Sequence, residues 1–228
     1  MINSEVLELF PTPLYVGKLT EGVTKDEFDF VNQDSLYTYF DENPGGNTGS
    51  FNNNVLNLPE LSRIKNFIQE HLDHYAKNVM CIENRIHPTI SWLNKNQKGT
   101  AHYRHYHVNS ILSGVFYFTE DPAPITFHNE KNFSYLPLKW NPVRYNQFNS
   151  TKSDAQVKKD ILLIFPSFVE HSVMPNISND PRISLSFNTW ISGDIGDVGS
   201  SSYINFDDLE LHNTPEEKLT EKVGRKIK

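Results

Sequence analysis

Between residues 88 and 191 the chain reads as a succession of short strands with no helical pattern between them. The segments are PTISWLN (88–94), AHYRHYH (101–107), ILSGVFYFT (111–119), PITFH (124–128), DILLIF (160–165), VEHSVM (169–174) and RISLSFNTWI (182–191). Each is rich in β-branched or aromatic residues, and Gly, Asn, Asp and Pro part them. Such a series predicts an antiparallel sandwich or barrel. The 15 Phe and 10 Tyr point the same way. The polar, irregular stretch 129–159 is expected to project as an insertion.

Ahead of this series the pattern is different. Residues 6–18, VLELFPTPLYVGK, are apolar but hold Pro11 and Pro13, which suits an edge strand or an extended arm. Thr24 to Gln33 predicts a short helix, with Thr24 as cap and Phe28 and Val31 three apart on one face. Residues 34–54, full of Asp, Asn and Gly, read as a long loop. The strongest helix is 59–79: Leu61, Ile64, Phe67, Ile68, Leu72, Tyr75 and Val79 form one stripe, and Pro59 fits the first turn. A Gly-rich start and a charged end, with Thr214 and Pro215 as a helix start, mark 193–228 as an extension. The expected organisation is one domain over 1–192 with a C-terminal extension over 193–228. A chain of 228 residues is long enough for one well-filled core.

A formal net charge of −7 argues against a broad nucleic-acid-binding surface, which needs clustered Lys and Arg. No apolar run approaches the ~20 residues of a membrane helix. The opening MINSEVLELF has no cationic stretch and does not read as a signal peptide. A single cysteine, Cys81, allows no intramolecular disulfide and is expected to be packed. The expected setting is the cytoplasm. Asn132-Phe133-Ser134 and Asn176-Ile177-Ser178 match the glycosylation sequon and read as coincidence in that setting.

Chemistry concentrates in two places. His105 and His107, two apart on a strand, point to one side, and both can reach one ion. His102 has the opposite parity and ranks lower. A third histidine, His171, lies far along the chain, on a strand that a barrel can bring beside the first. Eleven residues later Arg182 and Ser184 share a strand face. Arginine presents a planar fork suited to a carboxylate. Neutral imidazoles suit Fe, Zn, Cu and Ni.

These segments resemble the Fe(II)- and 2-oxoglutarate-dependent oxygenases. In particular they resemble a phage and bacterial group with an H-x-H-x-x-S-x-L-S-G-V-Y-Y-like run. Here that run is HYHVNSILSGVFYF (105–118). LLIFPSFVEHSVMPNISNDPRISLSFNTW (162–190) resembles the group's second ligand strand, and LFPTPLYVGKL its N-terminus. The resemblance implies a mainly β fold with flanking helices, the double-stranded β-helix or cupin-like jelly roll. It puts His105 in the first ligand's place and His171 in the distal one. It assigns Arg182, with Ser184, to the far carboxylate of 2-oxoglutarate, and Tyr117 toward the same carboxylate. Asn94 is expected at the cofactor from the preceding strand, and Ser113, with Tyr117's parity, at the pocket. In the usual triad a carboxylate stands where this chain has His107. Either His107 is the third ligand or water fills that position. Glu170 points away from His171's side and is not expected to ligate.

The activity implied is oxidative decarboxylation of 2-oxoglutarate with O2, yielding succinate and carbon dioxide and coupled to hydroxylation of a small-molecule or peptide substrate. A prolyl side chain is one example. Loops 34–54 and 129–150 would wall the substrate site. Two other readings fit the same residues: a cupin-like three-histidine metal protein with no role for Arg182, and a non-catalytic jelly-roll binding module. The oligomeric state has no signal in the sequence.

Overall fold

The computed structural model describes residues 3–39, 45–129, 141–197 and 199–206. The chain divides into two compact units, Met1–Ile191 and Ser192–Lys228. In the first, strand β1 (Tyr15–Lys18) is followed by helix α1 (Lys25–Val31), short strands β2 (Tyr37–Tyr39) and β3 (Thr48–Ser50), and helix α2 (Ser62–Tyr75). Then come strands β4 (Arg85–Asn96), β5 (His102–His105), β6 (Leu112–Tyr117), β7 (Asp121–His128), β8 (Lys152–Val157), β9 (Ile161–Pro166), β10 (His171–Val173) and β11 (Arg182–Ser192). They form a seven-stranded sheet, β1-β9-β6-β11-β4-β3-β2, and a four-stranded sheet, β5-β10-β7-β8. The β1–β9, β9–β6, β6–β11, β5–β10, β10–β7 and β7–β8 pairings are antiparallel. This mainly β architecture is the double-stranded β-helix. In the second unit β12 (Asp194–Ile195) pairs with β13 (Ile204–Asn205).

Strand pleat decides what each face of the large sheet carries. On one face Phe116, Leu162, Ile164, Ile183, Leu185 and Phe187 join Ile86 and Leu93 in an apolar cluster with Ile64, Ile68 and Leu72 of α2. On the other, Val115, Tyr117, Leu163 and Phe165 meet Ile125, Phe127 and Val157 of the small sheet. The two sets alternate residue by residue along β6 and β9. Gly114 is needed for the close approach of Phe187, its cross-strand partner. A Cβ at residue 114 would lie 2.2 Å from the Phe187 ring.

Several local expectations are met in detail. Thr24 caps α1 in a capping box with Glu27. Arg63 of α2 donates from Nε to Glu27 Oε1 at 2.9 Å, so this buried carboxylate ties the two helices together. Pro59 opens a 3₁₀ turn (Pro59–Leu61) ahead of α2. The apolar stripe is buried except at Phe67, which is half-buried, and Val79, which is exposed where the helix continues as a wider π turn over Ala76–Met80.

Other expectations fail for physical reasons. Residues 34–54 are not one loop: β2 and β3 extend the large sheet, with Thr48 opposite Lys95. Their Thr, Tyr and Gly content gave little alternation to see. The stretch 129–159 contains β8, a hydrophilic outer strand of the small sheet that pairs with β7. Its Lys, Ser, Asp and Gln are exposed, which hid the strand. Cys81 is exposed, not packed, and ends the helix in a left-handed conformation, φ 54°. Asn176 is buried and its amide donates to Asn96 O and Asp180 O, both at 2.9 Å, so it presents no free acceptor for a glycan. Asn132, Thr214 and Pro215 lie outside the described residues. No described helix is long and apolar enough to cross a membrane.

Candidate metal and co-substrate site

The pairing of β10 with β5 brings the two distant histidine segments together. His171 stands opposite His105 in the register. Their ring centroids are 4.3 Å apart, and His107 lies 5.1 Å from His105 and 5.2 Å from His171. One nitrogen from each of the three lies within 4.8 Å of the others, a spacing that fits a single metal ion. His107 gets there by a route the parity argument did not foresee. β5 ends at His105, and His107 sits in the loop beyond, where its N–H donates to Ser167 O at 3.0 Å.

The ligand nitrogens are set by what the other ring nitrogens do. His105 Nδ1 lies 2.7 Å from Tyr103 O and His171 Nδ1 lies 3.1 Å from Val169 O. A carbonyl can only accept, so in each case Nδ1 carries the proton and Nε2 presents a lone pair. Burial pushes His171 down to about 3 and His107 to about 4, and it lowers His105 as well. Neutral imidazoles are what a metal requires.

The same cavity extends to a buried cation. Arg182 is 1% exposed and opens β11 on the face opposite the apolar cluster. Its Nη2 donates to Met174 O at 3.2 Å, and its Nη1 lies 3.3 Å from Asp121 Oδ2. Neither of those two facing atoms makes a hydrogen bond, so they meet by charge alone and a buried guanidinium N–H is left without a hydrogen-bond partner. Asn96 Nδ2, also on the cavity wall, is buried and unpartnered too. Burial lowers the Arg182 pKa from its ordinary value, while Tyr117 and Asp121 oppose the shift. Two unsatisfied donors on one wall, facing three imidazoles, are what an anionic ligand of the metal would complete.

Of the residues expected here, His105, His107, His171, Arg182, Ser184, Tyr117 and Asn94 all line this cavity. Tyr117 stands opposite Ser184 in the register, and burial raises its pKa. Asn94 donates from Nδ2 to Ser186 Oγ at 3.0 Å. Ser113 is placed differently. It shares the pleat of Tyr117, but its hydroxyl contacts Ser167 and Asn188, both at 2.8 Å, behind His107 and off the cavity wall. Glu170 pairs with Arg104. His102 lines the cavity after all, stacked on His105 at 4.3 Å between centroids and lowered by burial to about 4. The strand's brevity and irregular β5–β10 register undo its parity.

Sequence reasoning missed Asp121, Asn96, Trp92 and Ser186. The last three share a pleat face with Asn94 or with Arg182 and Ser184, so alternation could have found them. Asp121, the first residue of β7, had no such signal.

Fold and cavity together define a class: a double-stranded β-helix protein with three clustered imidazoles and a buried arginine on one cavity wall. Residues 90–188 match the family model described as "Putative 2OG-Fe(II) oxygenase". The cofactors that this match implies are Fe(II), 2-oxoglutarate and O2. No curated protein matches it in sequence.

Solved structures share the fold at low identity. A prolyl-4-hydroxylase from Pseudomonas putida is 12% identical, with a TM-score of 0.52, over 78% of this chain and 94% of that one. A prolyl hydroxylase from Trichoplax adhaerens, in complex with a hypoxia inducible factor peptide fragment, is 11% identical with a TM-score of 0.54, over 78% and 83%. HygX from Streptomyces hygroscopicus, with nickel, 2-oxoglutarate and hygromycin B bound, is 11% identical with a TM-score of 0.51, over 78% and 82%.

Proposed function

We propose that this chain is an Fe(II)- and 2-oxoglutarate-dependent hydroxylase, and that His105, His107 and His171 hold the iron. The observation that carries the reading is the buried Arg182 on the wall of the cavity that the three imidazoles share, whose Nη1 makes no hydrogen bond. When bound, iron and 2-oxoglutarate supply the activation of O2 and the oxidation of a C–H bond. Everything else falls to the protein.

Arg182 receives the far carboxylate, and Ser184 and Tyr117 stand beside it across the β6–β11 pairing. Asp121 holds the guanidinium in place from behind, through the 3.3 Å ion pair. Asn94 and Asn96 offer amides along the same wall. The apolar side chains of Val115, Ile125, Phe165 and Val173 exclude water around the site. With three neutral ligands the iron keeps more positive charge than with a carboxylate. An anionic co-substrate is then bound more strongly by charge alone.

For the substrate, the reading is a peptidyl side chain, with proline as the first candidate. Two structurally similar proteins are prolyl hydroxylases, one with a peptide bound. Beside the site, Tyr106, Phe168 and the apolar arm 7–14 line a wide surface groove suited to an extended chain. The cupin-like alternative gives Arg182 no role, and a buried arginine with an open donor on the cavity wall weighs against it. The test is anaerobic. Iron-loaded protein is titrated with 2-oxoglutarate, and then, under O2, succinate is measured with and without proline-containing peptides. Binding without any peptide-stimulated succinate would keep the oxygenase reading and remove the peptide.

A further inference from the structure

His105 and His171 each spend Nδ1 on a backbone carbonyl. His107 has no carbonyl partner. Its Nδ1 faces the amide of Asn188, with Asn188 Nδ2 placed 3.5 Å away. Behind the amide runs a chain of hydroxyls. Ser113 Oγ is 2.8 Å from Asn188 Oδ1, Ser167 Oγ is 2.8 Å from Ser113 Oγ, and Ser110 Oγ is 2.8 Å from Ser167 Oγ. The chain ends on Leu112 O, 2.9 Å from Ser110 Oγ. Ser113 and Ser167 are both 1% exposed, so water does not fill gaps in this relay.

The relay has a proton count. Each hydroxyl has one proton to give. Run outward from His107, five contacts are filled: His107 Nδ1–H to Asn188 Oδ1, Asn188 Nδ2–H to Ser113, Ser113 to Ser167, Ser167 to Ser110, and Ser110 to Leu112 O. Run inward, from Ser110 through Ser167 and Ser113 to Asn188 Oδ1 and from Nδ2 to His107 Nδ1, only four are filled. Ser110 Oγ then faces Leu112 O with no proton between them, and Leu112 O is already accepting from Thr189 Oγ1 at 2.8 Å. Two facing acceptors with no proton between them are unfavourable even in a part-buried contact. The two ends of an amide have the same shape, so the surrounding bonds assign them.

We propose that Asn188 is a positioning residue for the metal: turned end for end, its Oδ1 accepts from His107 Nδ1–H, and the serine relay fixes the tautomer in which His107 Nε2 is a ligand. The relay thus does for His107 what the Tyr103 and Val169 carbonyls do for the other two. This rests on the three histidines being the metal site.

The test uses the full chain and Zn(II) as a diamagnetic probe. Long-range ¹H–¹⁵N spectra of the zinc-loaded protein are expected to show the His107 proton on Nδ1. Asn188→Leu is expected to weaken zinc binding about 10- to 100-fold. Asn188→Asp keeps the acceptor and is expected to stay within about threefold of the parent, since outer-shell partners act through that bond. A His107 proton on Nε2 in the zinc-loaded protein overturns the proposal. So does undiminished zinc binding in Asn188→Leu, or equal weakening in both variants. The spectrum of the parent protein decides the matter even if Asn188→Leu fails to fold. Zinc binding without 2-oxoglutarate binding would remove the oxygenase reading and leave this proposal standing.

Discussion

The two faces of the large sheet are built from the same strands and do opposite things. Toward α2, alternate residues of β6, β9 and β11 are Phe116, Leu162, Ile164, Ile183, Leu185 and Phe187, a face with no chemistry. Toward the small sheet, the residues between them include Tyr117, Arg182, Ser184, Ser186 and Asn188, together with Trp92, Asn94 and Asn96 from β4. Polar groups are costly to bury unless partnered. A buried face that still carries them, some with donors unspent, suits a polar ligand. The apolar face supplies stability and the polar face spends it.

That division predicts a separation of effects. The largest is expected from His171→Ala. It should lower metal affinity at least about 100-fold, at the upper end for perturbing a ligand shell, with little change in the thermal midpoint of the metal-free protein. Metal content and a melting curve check it. Next is Arg182→Ala. Truncating one partner of a buried charge pair costs about 2–5 kcal/mol, so 2-oxoglutarate binding should weaken by about 30-fold or more, while bound iron per chain is unchanged.

On the other face, Leu72→Ala is expected to cost about 2–5 kcal/mol of folding free energy by chemical denaturation. The remaining folded protein should bind metal and 2-oxoglutarate normally. If Leu72→Ala altered affinity as much as stability, the two faces would not be separable.

The pH dependence has a definite sign. His102, His107 and His171 have depressed folded-state pKa values, caused first by burial, of about 4, 4 and 3. In the unfolded chain each takes a proton near the ordinary value of about 6.5. The metal-free protein should therefore hold the associated stability above about pH 6.5 and lose it progressively as pH falls toward about 4. Replacing His102 by Gln should flatten that loss. The smallest effect expected is Thr24→Ala, about 1 kcal/mol from the capping box of α1, with no change at the site.

Much of this was legible from residue patterns. Period-two runs located most of the strands, because half-buried strands must alternate. The α2 stripe announced its packing face. The likeness of HYHVNSILSGVFYF and the His171–Trp190 segment to the oxygenases drew the site residues together. What escaped has common causes. β8 is an edge strand whose exposed polar residues blur alternation, and β2 and β3 are three-residue strands too short to show it. His102 escaped because parity was assumed over a strand that bulges. Asp121 and the Ser110–Ser113–Ser167–Asn188 relay depend on tertiary juxtaposition across as many as 78 positions, which no local pattern encodes.

The central claim is that one cavity holds both a metal and an acid co-substrate. The direct measurement is an anaerobic calorimetric titration of the iron-loaded protein with 2-oxoglutarate, run beside Arg182→Ala and the metal-free protein. The account predicts one 2-oxoglutarate per chain, dependent on iron and lost with Arg182. Iron-loaded protein that binds no 2-oxoglutarate, or binds it equally well without Arg182, would contradict it.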